Sequence, residues 1–314
     1  MPRNGSRRTL SIVTPVYYNA ASLPELFSEL TELERALNER QMDLELICVN
    51  DGSGDDSLEQ LLRIKAARPT TKVISLTRNF GAVAASKTGF RFVTGDAFAI
   101  LSADLQDPAT QVLHMVDEWL AGSKYVISVR AARKDPAFIR LFAWLYYKIV
   151  DWMVVRGYPQ GGFDLMLMDK DMLQYMSTSV KSTNPTVFSY WLGFRPKTLY
   201  YTRRERRHGR SRYTLRKKLK FLLDTLTGFS VTPIRVLSAF GVAVAVASFI
   251  YGLNLIVAAF RGNVETAGFV TLAVLISFFS GLILIMLGAI GEYLWRVFDA
   301  VNNKPESVID ETFL

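Results

Sequence analysis

Residues 97–108 read A-F-A-I-L-S-A-D-L-Q-D-P. A short apolar run ends in two carboxylates with an amide between them: Asp104, Gln106 and Asp107. In an extended segment alternate side chains point the same way, so Asp104 and Gln106 are expected on one face. A carboxylate and an amide oxygen are hard ligands, suited to Mg²⁺ or Mn²⁺. The carboxyl end of a buried strand is also where open α/β sheets hold ligands. Asp107 and Pro108 fit a second role, as the cap and first residue of a helix. The two roles are compatible.

Such a site needs strands beneath it. Short apolar runs at Leu10–Val16, Leu44–Asn50, Val73–Leu76, Ala97–Leu101 and Tyr125–Val129 read as strands. Helical spacing lies between them, over Leu23–Leu37, Ser57–Ala67, Ala82–Val93 and Thr110–Ala121. This alternation implies an α/β domain with a mostly parallel sheet and helices on both faces. The loops after the strands would gather Tyr17, Asn19, Asp51, Arg78, Asn79 and Asp104 at one edge.

Composition narrows the chemistry. Cys48 is the single cysteine, so there is no internal disulfide and no cysteine zinc cluster. His114 and His208 are the only histidines, which disfavours a histidine metal site or a Ser-His-Asp triad. The apolar stretch after the basic N-terminus is too short for a signal peptide and is broken by Pro15, so it reads as the first strand.

Half of the 314 residues are hydrophobic, and the excess lies near the C-terminus. Val236–Phe260 and Thr266–Gly291 contain no charge. At about 1.5 Å per residue each run exceeds a hydrocarbon core of roughly 30 Å. Two transmembrane helices are expected, with a pair of buried core helices as the other reading. Pro136–Arg156, rich in Trp, Tyr and aliphatic residues with sparse charge, reads as a helix lying in the membrane interface, or else a core helix of the α/β domain. Tyr213–Phe229 is a second amphipathic segment.

The net charge of +8 is concentrated. Residues 195–220 carry twelve Lys and Arg against Glu205 alone, directly ahead of the first apolar span. A basic patch there suits phosphate groups at a membrane surface and argues against nucleic acid as the partner. By the positive-inside rule it also makes that side cytoplasmic, with both termini.

Six segments occur in order: S-I-V-T-P-V-Y-Y-N, I-C-V-N-D-G-S-G-D-D-S, L-T-R-N-F-G, L-S-A-D-L-Q-D-P, G-G-F-D-L-M-L-M-D and R-R-E-R-R-H-G-R-S-R-Y. Together they resemble the family 2 glycosyltransferases, whose fold is GT-A. Within these, the chain is similar to the polyprenyl-phosphate glycosyltransferases: bactoprenol glucosyltransferase, undecaprenyl-phosphate aminoarabinose transferase and dolichol-phosphate mannose synthase. The resemblance implies inverting transfer of one sugar from a nucleotide donor, a UDP-sugar such as UDP-glucose, to undecaprenyl or another polyprenyl phosphate. It also implies a divalent cation, Mg²⁺ or Mn²⁺, at the inner membrane's cytoplasmic face, a multi-pass chain and, as in some relatives, a homo-oligomer.

The resemblance also assigns residues. Pro15 and Tyr17 would line the base pocket, and Asp51 would accept from the uracil or ribose. The family's usual glutamate after the first tyrosine is missing or replaced by Asn19. The family's D-A-D-L-Q appears with Ser102 in place of the first aspartate, on the donor side, leaving Asp104 and Gln106 to hold the metal. Arg130 would contact the diphosphate. Asp164 matches an aspartate near the reaction centre, positioning substrate first and acting as base second. Arg140, Arg206, Ser211 and Arg212 would bind the acceptor phosphate, with Arg206 also acting on the reacting groups. The implied organisation is a donor-binding core over 1–135, an acceptor-side region over 136–230, a two-helix hairpin over 231–296 and a cytoplasmic tail over 297–314.

Two other readings compete. A processive polysaccharide synthase shares the fold but carries a Q-x-x-R-W pattern absent here. A non-catalytic membrane protein that binds anions would need only the basic patch.

Overall fold

The computed structural model describes residues 7–130, 137–179, 183–202, 204, 215–261, 268–302 and 304–314. It divides into two units, Met1–Thr225 with Lys304–Leu314, and Leu226–Asn303.

The first unit alternates strand and helix in five rounds: β1 (Arg8–Val16), α1 (Leu23–Glu39), β2 (Met42–Asn50), α2 (Ser57–Ala67), β3 (Lys72–Leu76), α3 (Ala82–Phe90), β4 (Ala97–Ile100), α4 (Ala109–Leu120), β5 (Tyr125–Arg130) and α5 (Ala137–Met153). Then follow β6 (Phe163–Asp169), α6 (Leu173–Thr178), α7 (Pro185–Trp191), β7 (Lys197–Tyr201) and the start of α8 (Leu215–Phe229). The second unit holds α9 (Thr232–Phe260) and α10 (Phe269–Val301), and β8 (Ile309–Phe313) returns to the first.

The eight strands form one sheet in the order β7-β5-β6-β4-β1-β2-β3-β8. β1 lies parallel to both β2 and β4, and β2 parallel to β3. The chain therefore reverses its winding between β1 and β4, the switch point where such sheets open a ligand crevice. β6 runs antiparallel to β4 and to β5, and β7 parallel to β5. The carboxyl ends of β1–β5 and β7 thus share an edge with the amino end of β6. That geometry brings Asp164, at the start of β6, beside Arg130, at the end of β5.

Apolar periodicity builds the layers. α1 buries Leu23, Leu26, Leu30, Leu33 and Leu37, one stripe at helical spacing. With α2 and α4 it packs on the sheet face formed by Leu10, Ile12, Leu46, Cys48 and Ala99. α3 covers the opposite face and sits close, because a Cβ at Gly89 would lie 2.4 Å from Val13. Burial pushes the Cys48 thiol up to about 12, leaving it an inert core residue.

In the second unit, Thr232–Asn254 and Phe278–Val301 are long and apolar enough to cross a membrane, and neither is buried. In this exposure they are unlike the buried core elements of the first unit. α10 continues beyond the charge-free run through Glu292 to Val301. Its polar end is tied down: Tyr293 Oη donates to Ser230 O at 2.8 Å, and Arg296 Nε to Thr227 Oγ1 at 2.6 Å.

The expected tail over 297–314 is more structured than a tail. Helix runs to Val301, and residues 309–313 pair antiparallel with β3, closing that side of the sheet.

Candidate active site

The site forms where the loops after β1, β2, β3 and β4 converge. After β1, Tyr18 takes a left-handed φ of 54°. Asn19 stabilises the turn: its Oδ1 accepts from Tyr17 N–H at 3.1 Å, and its own N–H donates to Ser57 Oγ at 2.9 Å. Tyr18 N–H donates to Ser53 Oγ at 3.1 Å. Asn19 thus binds the β1 loop to the D-G-S-G-D-D-S loop. Ser22 Oγ donates to Ala103 O at 2.7 Å, crossing the switch point.

Asp51 follows β2 and is almost fully buried. Its Oδ1 accepts from Phe80 N–H at 2.7 Å, and its Oδ2 from Gly81 N–H at 2.9 Å and Asn79 Nδ2 at 3.1 Å. Burial raises its pKa above the ordinary aspartate value, and the two backbone amides pull against that. The loops touch closely: Gly52 has φ +61°, and a Cβ there would lie 2.3 Å from the Arg78 carbonyl carbon. Asp51 is therefore the anchor of the R-N-F-G loop. The L-T-R-N-F-G segment is visible in the sequence, but its amides' contact with Asp51 depends on the β2 and β3 loops meeting.

The segment around Asp104 departs from expectation. β4 ends at Ile100, and Leu105, buried, takes φ +60°. A non-glycine residue in that region is uncommon and costs on the order of 1–3 kcal/mol. The strand alternation invoked for Asp104 and Gln106 does not hold here. A tight turn brings them together instead: Gln106 N–H donates to Asp104 Oδ1 at 3.2 Å. Asp107 is also reassigned. α4 begins after Pro108, and the Asp107 carboxylate accepts from Tyr201 Oη at 2.5 Å. A buried phenol and a buried carboxylate satisfy one another there.

Arg204, after β7, meets this turn. Arg204 N–H donates to Gln106 O at 3.0 Å, and its guanidinium pairs with Glu29 at 2.5 Å. Sequence reasoning missed Arg204, Glu29 and Tyr201, because their roles depend on β7 lying beside β5.

On the far side of the crevice Arg130 and Asp164 form an ion pair, both partly exposed. Tyr147 of α5 reaches the same place. Gly162 has φ +60°, and a Cβ there would lie 2.3 Å from Tyr147 Oη, so only glycine admits the ring. Tyr147 stacks on Tyr158 with centroids 6.2 Å apart, and Tyr158 meets Phe163 and Tyr190. The outer faces of α5 and α7 expose Trp144, Trp152 and Trp191. α5 also buries Val150, so it is half core helix and half surface helix.

Pro15, Tyr17, Asn19, Asp51, Ser102, Asp104, Gln106, Arg130 and Asp164 therefore all lie at or next to one sheet edge. Arg206, Ser211 and Arg212 lie outside the described residues, as does the side chain of Arg140. Among the described residues no three His, Cys, Asp or Glu side chains group to hold a metal. Asp104 and Gln106, brought together in the turn, present a carboxylate and an amide, both hard donors.

A parallel-centred sheet with a polar crevice at its switch point and an antiparallel β6 beside it defines the GT-A class of glycosyltransferase. Glucosyl-3-phosphoglycerate synthase from Mycobacterium tuberculosis shares the fold, with a TM-score of 0.50 at 17% identity, over 70% of this chain and 80% of that one. Residues 11–164 match the model of glycosyl transferase family 2. The Bacillus subtilis glycosyltransferase YkcC is 32% identical over 96% of this chain and 94% of its own. The SfII prophage-derived bactoprenol glucosyl transferase of Shigella flexneri is 28% identical over 96% and 98%. The chain belongs to glycosyl transferase family 2 and is a glycosyltransferase.

Proposed function

We propose that the protein transfers one sugar, with inversion, from a nucleoside-diphosphate donor to a polyprenyl phosphate at the cytoplasmic face of the inner membrane. The donor is a UDP-sugar, with UDP-glucose the first to test, and the lipid is undecaprenyl phosphate or a close relative. The observation that carries this reading is the convergence of Asp51, the Asp104–Gln106 turn and the Arg130–Asp164 pair on one sheet edge, in a chain with two span-length apolar helices. The similarity to bactoprenol glucosyl transferases over nearly the whole chain supports the lipid acceptor.

The labour divides along the chain: donor binding over 1–135, acceptor binding over 136–230, anchoring over 231–296, with the remainder and both termini cytoplasmic. Pro15, Tyr17, Asn19 and Asp51 form the base and ribose side of the pocket, and Ser102 and Arg130 its sugar-diphosphate side. Asp104 and Gln106 would hold Mg²⁺ or Mn²⁺. When bound, the cation offsets the diphosphate charge and stabilises the leaving group.

The attacking group is a phosphate monoester, largely dianionic near neutral pH since its second pKa is about 6. Its oxygen needs little deprotonation. Asp164, fixed by Arg130, therefore orients the sugar and the incoming phosphate, and base catalysis is its lesser role. Arg140, Arg206, Ser211 and Arg212 receive the acceptor phosphate through charge-assisted hydrogen bonds. Holding both phosphates in line supplies much of the rate.

The test uses purified full-length protein with polyprenyl phosphate, a panel of nucleotide sugars, and Mg²⁺ or Mn²⁺. A lipid carrying one sugar, lost on chelation of the cation, is expected. No lipid product with any donor, or a growing polymer, overturns the reading.

A further inference from the structure

The loop between β3 and α3 supplies the donors that hold Asp51: the Asn79 side chain and the Phe80 and Gly81 amides. What holds that loop comes from the other end of the chain. Upstream of it, Thr77 N–H donates to Val308 O at 3.1 Å, just before β8 pairs with β3. Downstream of it, α3 carries Lys87 and Thr88. Lys87 Nζ meets Glu306 Oε2 at 2.5 Å, and the hydroxyls of Thr88 and Ser307 share a hydrogen bond of 2.5 Å.

Lys87 is 5% exposed, and its ammonium also donates to Ser179 O at 2.8 Å. A buried ammonium is tolerated only with partners, and Glu306 is the carboxylate that supplies its countercharge here. Three consecutive residues, Glu306, Ser307 and Val308, thus grip the chain on both sides of the 78–81 loop.

We propose that the segment 304–313 is a positioning clamp for the donor site. By fixing Thr77 on one side and Lys87 and Thr88 on the other, it holds the Phe80 and Gly81 amides against Asp51. The inference rests on the reading of Asp51 as a nucleotide contact. A loop already held at both ends has less freedom to lose when a ligand binds, so the clamp acts on donor affinity. Its described partners Thr77, Lys87 and Thr88 all flank the 78–81 loop, so the effect is expected on donor affinity and not on acceptor affinity. The clamp begins three residues after α10 ends, so the same stretch of chain that leaves the apolar hairpin organises the nucleotide loop.

The experiment compares full-length wild type with E306Q, which keeps the shape of the side chain, and S307A, which removes only the bond to Thr88. Amide exchange of residues 77–81 is measured without nucleotide. UDP binding with Mn²⁺ is measured by calorimetry, and KM is measured separately for donor and acceptor. In E306Q, exchange at Phe80 and Gly81 rises and UDP affinity falls, each about tenfold, the scale of one lost hydrogen bond to a charged group. Donor KM rises with it while acceptor KM stays put. S307A shifts the same quantities in the same direction by less. Unchanged exchange at 77–81 in E306Q overturns the clamp, and so does an equal rise in both KM values. A wild-type protein that binds no UDP overturns the nucleotide reading instead, and the exchange measurement then still decides the clamp.

Discussion

The two halves of the sheet meet one crevice by different means. On the β1-β2-β3 side the loops are laced by hydrogen bonds, with Ser53, Ser57 and Asp51 each holding main-chain groups of a neighbouring loop and Asn19 those of its own. On the β5-β6-β7 side the organisation is aromatic: Tyr147, Tyr158, Phe163 and Tyr190 pack on one another near the Arg130–Asp164 pair, and tryptophans face outward. The first half is a preformed set of polar groups, suited to a ligand recognised by its own polar groups. The second is held together by ring packing, with exposed tryptophans on its outer faces. Ser22–Ala103 and Arg204–Gln106 fasten the β4 turn to what lies on either side of it.

Substitutions at the seam should hurt most. D104A should lower kcat/KM by about 10²–10³ or more, the scale of removing a group that stabilises developing charge. A D104A enzyme retaining wild-type turnover in the same cation would remove the seam from the chemistry. On the aromatic side, R130A and D164A should each cost about 10²-fold. The double variant should be no worse than the worse single, because the two act as one unit. Multiplying losses would mean that the pair is structural coincidence.

On the polar side, D51A should raise donor KM about tenfold and leave acceptor KM unchanged, since its loss frees the Phe80 and Gly81 amides. An acceptor effect of equal size would erase the distinction between the halves. The triple variant W144A/W152A/W191A should do the reverse more weakly, raising acceptor KM in bilayers about threefold with donor KM fixed.

The smallest effect on activity is expected at Glu45. It belongs to the polar style but lies away from the crevice, binding Lys72, Ser11 and Thr94. Burial alone would raise its pKa, yet the Lys72 ammonium and the two other donors hold it below the ordinary value of 4.5. A lowered pKa in the folded state means stability that is present above the ordinary value and lost as pH falls through the folded one. E45Q should therefore melt earlier at neutral pH by about 1–3 kcal/mol. The gap from wild type should close on acidification, with transfer rates matched throughout. A persisting gap in acid would assign the loss to shape and not to charge.

Legibility in the sequence followed the physics of each element. β1 to β5 stand out because parallel strands buried on both faces are apolar runs with helical spacing between them. β6 was hidden because its core, L-M-L-M, is built from good helix formers with no β-branched residue. β8 was hidden because I-D-E-T-F carries little apolar alternation and is fixed by its pairing with β3. α7 is capped by Asn184 with Pro185 in its first turn, but seven residues give no periodicity to read. At the site, residue types were readable and their geometry was not. The left-handed Leu105 replaces the alternation expected of Asp104 and Gln106, and Tyr201 takes the carboxylate expected to cap α4. Both depend on tertiary neighbours.

The position of β8 in the chain has a consequence for biosynthesis. β3 emerges from the ribosome early, and its partner follows roughly 230 residues later, after both apolar helices. At about 5–20 residues per second, the outer edge of β3 waits about 10–50 s for the strand that closes it. During that interval it is an open template for pairing with other chains. Completion of the sheet therefore waits for both apolar helices: the strand that closes the edge of β3 is made only after them.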